Sequence, residues 1–138
     1  MELGLKDKVI LVTGGASGIG QVIVKKLQAL EAIPIVVDKV KKAEAKWGQD
    51  RRVMPEPHWV TVDLVEEELC RNAVCEIIDQ FGRIDGLVNN AGMNDRAGLT
   101  SSVDQFRASI ETNLIHYFTM AQLCLEVLKK NKGTIVNI

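Results

Sequence analysis

The stretch TGGASGIG, residues 13–20, decides how the rest of the chain is read. Before it stands KVILVT, residues 8–13, a short apolar run rich in β-branched side chains that predicts a strand. After it, Ile19, Val22, Ile23, Leu27 and Leu30 recur at helical spacing and predict a helix over residues 18–31. A glycine-rich turn in that position has two readings. One is a tight strand-to-helix connection with no ligand. The other is a phosphate cradle built from Gly14, Ser17, Gly18, Ile19 and Gly20. In that reading Gly14 permits the turn, Gly18 lets backbone approach a pyrophosphate, and Gly20 lets the helix pack close to the sheet. The helix N-terminus then offers free N–H groups and the positive end of its dipole.

Working outward, the alternation of strand and helix continues. IPIVVD, residues 33–38, predicts a second strand, and residues 39–46 a short polar helix followed by a loop over 48–57. HWVTVD, residues 58–63, predicts a third strand. Glu66, Glu67 and Glu68 suit the first turn of a further helix, where the dipole favours negative charge. Leu69, Ala73, Ile77 and Phe81 continue that helix in steps of four, and Gly82 ends it. DGLVNNAG, residues 85–92, predicts a fourth strand running into a turn. A long helix is expected over residues 103–130, with Phe106, Ile110, Leu114, Tyr117, Phe118 and Ala121 on its apolar face. GTIVNI, residues 133–138, predicts a fifth strand. Near-continuously apolar strands separated by helices imply an α/β fold, a doubly wound parallel sheet of Rossmann type with crossover helices on both faces.

Composition narrows the partners. With 46% hydrophobic and 25% charged residues and a net charge of −1, the chain reads as one ordinary globular domain without a basic field for nucleic acid. No apolar run approaches the roughly 18 residues of a membrane span, and no signal peptide is read, so a cytoplasmic location is expected. Cys70, Cys75 and Cys124 are expected to be buried, reduced thiols. His58 and His116 lack clustered ligands, so no metal site is expected.

Asp38 favours the phosphate-cradle reading. It ends the second strand, 18 residues past Gly20, where an acidic side chain can accept hydrogen bonds from the adenosine ribose of NAD. It would repel the 2′-phosphate of NADP, so NAD is expected over NADP. Lys39 is a contrary hint, because a cation there could meet that phosphate. The run Lys39, Lys41 and Lys42 reads either as a solvated face or as a phosphate clamp.

The spacing Gly14-x-x-x-Gly18-x-Gly20 resembles the cofactor turn of the short-chain dehydrogenase/reductases, and three further stretches agree in order. Asp63-Leu64 is similar to the family's acidic–hydrophobic pair, which by resemblance contacts adenine. Asn89-Asn90-Ala91-Gly92 is similar to its fourth-strand signature, whose small residues let the nicotinamide-side ribose lie against backbone and whose asparagine amides tie neighbouring strands. Asn113 matches the asparagine whose backbone distortion holds a water in the family's proton relay.

The resemblance implies hydride transfer between a secondary alcohol and the nicotinamide. It also implies a homodimer or homotetramer. Met93-Asn94-Asp95 and the residues 113–117 point, within the family, to the sugar dehydrogenases and hence to a sugar hydroxyl. Asn94 and Asp95 also suit a plain surface loop. By resemblance, the reaction needs a tyrosine base, a lysine four residues on that tunes it, and a serine on the substrate oxygen. Tyr117 is followed four residues on by Ala121, so a packing role is expected for it. The three catalytic groups would all lie past Ile138. Residues 1–138 are therefore expected to be a dinucleotide-binding domain incomplete at its C-terminus, inactive alone. The alternative is a non-catalytic dinucleotide-binding or regulatory module.

Overall fold

The computed structural model describes residues 3–45, 47 and 56–138. β1 (Val9–Thr13) is buried along its whole length. It pairs in parallel with β2 (Ile33–Asp38) on one side and β4 (Gly86–Asn89) on the other. β3 (His58–Thr61) lies outside β2, and β5 (Thr134–Asn137) lies outside β4. The order is therefore β3-β2-β1-β4-β5, all parallel. Chain direction across the sheet reverses at β1. The connections that leave the C-terminal ends of β1 and β4 consequently diverge to opposite faces around a crevice, the place where open α/β sheets bind ligands.

Period-two alternation divides the core between the two faces. Val9, Leu11, Ile35, Val37 and Leu87 pack with α2 (Glu67–Phe81) and α4 (His116–Asn131). Ile10, Val12, Val36 and Val88 face the other way, with Val24, Ile23 and Leu27 of α1 (Gly18–Ala29). At the outer edge Trp59 donates its Nε1–H to the Val40 carbonyl at 3.0 Å and meets Trp47 edge-on, with ring centroids 6.0 Å apart. The Lys25 ammonium lies 5.7 Å above the Trp47 ring.

Several expectations are corrected. The polar helix over 39–46 is only one 3₁₀ turn, Lys42–Glu44, with Lys46 and most of the expected 48–57 loop outside the described residues. The buried stripe of α1 runs through Gly20 and Val24, leaving Ile19 and Val22 exposed, because Ile19 is spent on the crevice. On α2 the stripe is Cys70, Ala73, Val74 and Ile77, and Leu69 is exposed. Cys75 is exposed as well, whereas burial pushes the Cys70 thiol up to about 11 and Cys124 to about 12.

The long helix over 103–130 is broken. α3 (Val103–Ile110) starts from a Ser102–Gln105 capping box and gives way to a π turn, Glu111–Ile115, before α4 begins. A π turn holds an extra residue, and each residue turns a helix by about 100°. The apolar stripe is reset accordingly. His116, Met120, Cys124 and Leu128 are buried, and Phe106, Leu114 and Phe118 are exposed.

Asp85 anchors the start of the sheet. Its carboxylate accepts from the Val9 N–H at 3.0 Å and from Arg83 at 2.7 and 2.6 Å, with Lys8 at 3.5 Å. Burial alone would raise its pKa, but the bonds from Arg83 and Val9 outweigh burial and hold it below the usual value. A lowered folded-state pKa stabilises fully above the unfolded value of about 3.9 and is lost as pH falls through the lower folded value. Asp85→Asn is expected to cost about 2 kcal/mol at pH 7. In urea unfolding, the gap between wild type and variant should narrow by pH 3, and a gap unchanged with pH would refute the assignment.

Candidate functional site

The crevice between β1 and β4 is closed by a small set of short bonds. Thr13 Oγ1 accepts from the Asn90 N–H at 2.9 Å and the Ala91 N–H at 3.1 Å. Asn90 Nδ2 donates to the carbonyls of Thr13 at 3.1 Å and Gly14 at 3.3 Å. The two strand ends are thereby locked side by side. Asn89 extends the tie outward, donating to the Tyr117 carbonyl and to Asn137 Oδ1.

Glycine is required where the turn crosses this knot. Gly14 has φ +65°, and a Cβ on it would stand 2.8 Å from Ala91 Cα. A Cβ on Gly20 would collide with the Gly14 carbonyl oxygen and stand 2.6 Å from Asn90 Nδ2. Gly18, at φ +54°, differs: a Cβ there would meet nothing within 4 Å. Its space is that of the cavity it lines. Ser17 precedes α1 in extended backbone and makes no side-chain cap, so the first N–H groups of the helix face the same space uncapped.

Asp38 is buried at the end of β2. One oxygen accepts from the Ala16 N–H of the turn at 3.0 Å and the other from the Val40 N–H at 3.0 Å. The bond to Ala16 fixes the turn against the second strand. Each carboxylate oxygen retains a further lone pair for a ligand donor.

These elements enclose a cavity of about 390 Å³, within the range of small-molecule sites. Gly14, Ser17, Gly18 and Ile19 form one side, and Asp38 and Lys39 one end. Asp63 and Leu64 come from the β3–α2 connection, and Asn90, Ala91 and Gly92 from the end of β4. Two expected residues do not line it. Gly20 lies beneath the turn. Asn113, in the π turn, spends its amide on the loop after β4, accepting from the Met93 N–H at 2.7 Å and donating to Asp95 at 3.4 Å.

The lining also holds residues that were not expected to hold the cofactor: Val40, Val62, Val65, Thr112 and, from the stretches read as pointing to a sugar, Met93 and His116. Thr112 and His116 are four residues apart, so helical spacing alone puts them on one side. His116 Nε2 lies 3.0 Å from the Thr112 carbonyl and must therefore carry the proton there. Burial lowers the His116 pKa, more than the Thr112 bond and the nearby Asp63 charge raise it. Its Nδ1 is buried without a partner among the described residues.

Tyr117 does not line the cavity. It is half-buried, its hydroxyl donates to the Ile138 carbonyl at 3.1 Å, and burial pushes its pKa above the ordinary value. A phenol so held is no base at neutral pH. Among the described residues no cluster of His, Cys, Asp or Glu could hold a metal ion, and no helix is long and apolar enough to cross a membrane.

Comparison with known proteins gives a consistent picture. The model of the short chain dehydrogenase family matches residues 8–138. L-fucose dehydrogenase of Bos taurus is 36% identical over 142 residues, which cover 100% of this chain and 52% of that protein. The chloroplastic NADPH-dependent aldehyde reductase 1 of Arabidopsis thaliana is 32% identical, with 95% of this chain and 49% of that protein covered. The crystal structure of Cj0485 dehydrogenase superposes with a TM-score of 0.89 at 35% identity, covering 99% of this chain and 53% of that one. The chain thus spans about half the length of the curated relatives it matches.

Two glycines of the turn, Gly18 and Gly20, make separable predictions for stability. Gly20→Ala drives a methyl group into backbone and is expected to cost about 3 kcal/mol. Gly18→Ala meets open space and should cost only the left-handed strain, about 1 kcal/mol. Thermal or urea unfolding of the two variants checks the order, and equal losses would refute the account of the turn.

Proposed function

The chain belongs to the short-chain dehydrogenase family, and from that premise we propose that it supplies the nucleotide-binding half of an NAD-dependent oxidoreductase. The complete protein moves a hydride between a secondary alcohol, an L-fucose-like sugar hydroxyl, and the nicotinamide. The observation that carries this reading is the position of Asp38, an acidic side chain at the end of β2 facing the cavity at the reversal point of the sheet.

The cavity residues fit a dinucleotide. The uncapped start of α1 and the open space over Gly18 suit a pyrophosphate. Asp38 accepts the hydroxyls of the adenosine ribose on lone pairs that Ala16 and Val40 leave free. Asp63 and Leu64 hold the adenine, and Asn90, Ala91 and Gly92 form the wall for the nicotinamide-side ribose. Bound NAD supplies the hydride acceptor. Asn113 keeps the loop after β4 in place through Met93, and the loosened backbone of its π turn offers a place for a relay water.

Sequence identity does not choose the nucleotide, since an NADPH-dependent reductase stands among the relatives. Asp38 supports NAD: its charge opposes a 2′-phosphate, with Lys39 beside it at the same end of the cavity as the opposing influence. L-fucose dehydrogenase among the relatives supports the sugar. The exposed Phe106, Leu114 and Phe118 support a homodimer or homotetramer, and the free thiols support a reducing, cytoplasmic setting.

The test uses the intact protein. Asp38→Ala should weaken NAD binding about tenfold or more, measured by titration, and weaken NADP binding less, since both nucleotides lose the turn that Asp38 holds but only NAD loses its ribose acceptor. Equal losses for both nucleotides would overturn the role given to Asp38. Absence of sugar-dependent NAD reduction by the intact wild-type protein would overturn the substrate class.

A further inference from the structure

His116 opens the buried stripe of α4, ahead of Met120, Cys124 and Leu128, and it is the polar member of that stripe. An apolar side chain would fill the same place with no polar atom to desolvate. The histidine instead makes a bond, from its Nε2–H to the Thr112 carbonyl at 3.0 Å. Its Nδ1 has no partner among the described residues, so a second ring N–H would go unsatisfied and the neutral Nε2–H form is favoured.

That bond reaches into the π turn Glu111–Ile115, whose middle residue is Asn113. In an α-helix the Thr112 carbonyl would take the backbone N–H of His116, four residues on. Pairing in a π turn runs five residues apart and gives that match up. The imidazole offers the carbonyl a donor from the same residue, and so favours the turn over the regular helix.

What the turn carries is a wall of the cavity. Asn113 Oδ1 accepts from the Met93 N–H at 2.7 Å, and a Cβ on Gly92 would stand 3.2 Å from the same oxygen. Asn113 Nδ2 donates to Asp95 at 3.4 Å, and Asp95 in turn accepts from the Ala97 N–H at 3.0 Å. Gly92 and Met93 both line the cavity. Closing the π turn into an α-helix would turn Asn113 by about 100° relative to α4. With His116 held in the core, Asn113 would swing off the Met93 N–H and the loop would lose its tether.

We infer that His116 is a positioning residue: its Nε2–H holds the π turn, the turn aims Asn113 at the Met93 N–H, and the loop after β4 is thereby set as a wall of the cavity. The bearing on catalysis rests on the dinucleotide reading above, in which this wall is the nicotinamide side. Asp38 and the glycine turn hold the nucleotide elsewhere, so the brace bears on turnover more than on nucleotide affinity.

The experiment uses the intact protein. His116→Met removes the donor and keeps an apolar filling, and His116→Gln keeps an amide N–H near the Nε2 position. Native-state hydrogen exchange reads the Met93 amide. It should exchange about tenfold faster in His116→Met and return toward wild type in His116→Gln, while the amides of Met120, Cys124 and Leu128 keep their wild-type rates in both. In sugar-dependent NAD reduction, kcat should fall about tenfold in His116→Met with the KM for NAD within about twofold, and His116→Gln should recover most of the loss. In wild type, a ¹⁵N-histidine-labelled sample should show the His116 ring as the neutral Nε2–H tautomer, a readout that needs no variant to fold. An Nδ1–H tautomer, an unchanged Met93 amide in His116→Met, or equal acceleration in both variants overturns the role of His116. Acceleration spread along α4 overturns it as well, because that marks packing alone. A wild type that reduces no NAD overturns the oxidoreductase reading, while the Met93 amide still decides the brace.

Discussion

The whole site depends on one knot between two strand ends. Thr13 has a single hydroxyl and uses it to receive two successive N–H groups, those of Asn90 and Ala91. Asn90 returns two bonds to the backbone that opens the glycine turn. β1 and β4 are far apart in sequence, yet their last residues are fixed to within a hydrogen bond. Everything ligand-facing is hung from that pair. The turn leaves one strand, the small-residue wall leaves the other, and a side chain larger than hydrogen at Gly14 or Gly20 would force them apart. The polar groups buried in the knot are satisfied by one another, which makes the crevice rigid without a bound ligand.

A second tie positions the acidic end. Asp38 bonds to Ala16, so the carboxylate on β2 and the phosphate turn on β1 cannot move independently. The same side chain that selects the nucleotide also shapes the loop that receives it. That economy has a structural cost for redesign. Exchanging Asp38 for a neutral residue to admit a 2′-phosphate would also release the turn it holds.

Much of this was legible in the residues themselves. β-branched runs, a glycine turn in strand–helix context and an acid at the end of β2 are local signals, and each landed on the element expected. What failed did so for a shared reason. The apolar faces of α1 and α2 were read from periodicity, which cannot tell a residue turned to the core from one turned to a crevice. Ile19 is the instance: its spacing is that of a core residue, and its surroundings are those of the cavity. The break in the long helix is subtler. Local propensity in ETNLI announces no π turn, because glutamate, leucine and isoleucine all tolerate an ordinary helix; only the resemblance, through the backbone distortion it implied at Asn113, pointed to one. The turn follows from tertiary demand, since Asn113 must reach the Met93 N–H while His116 and Met120 enter the core. Thr112 and His116 were invisible as residues of the cofactor cavity for the same reason: their place depends on a helix phase that the turn resets.

The edge of the sheet beside the cavity has an optical consequence. The chain contains 2 tryptophans, and they are the pair Trp47 and Trp59, with centroids 6.0 Å apart at 77°. At that distance and angle the two indoles share excitation, so their circular dichroism and emission belong to the pair and not to either ring. Trp59 holds the carbonyl of Val40, whose N–H is held by Asp38 and whose side of the chain lines the cavity. The protein thus carries a native chromophore two hydrogen bonds from the carboxylate at the cavity's end. Its spectrum registers the state of that end without any label being added.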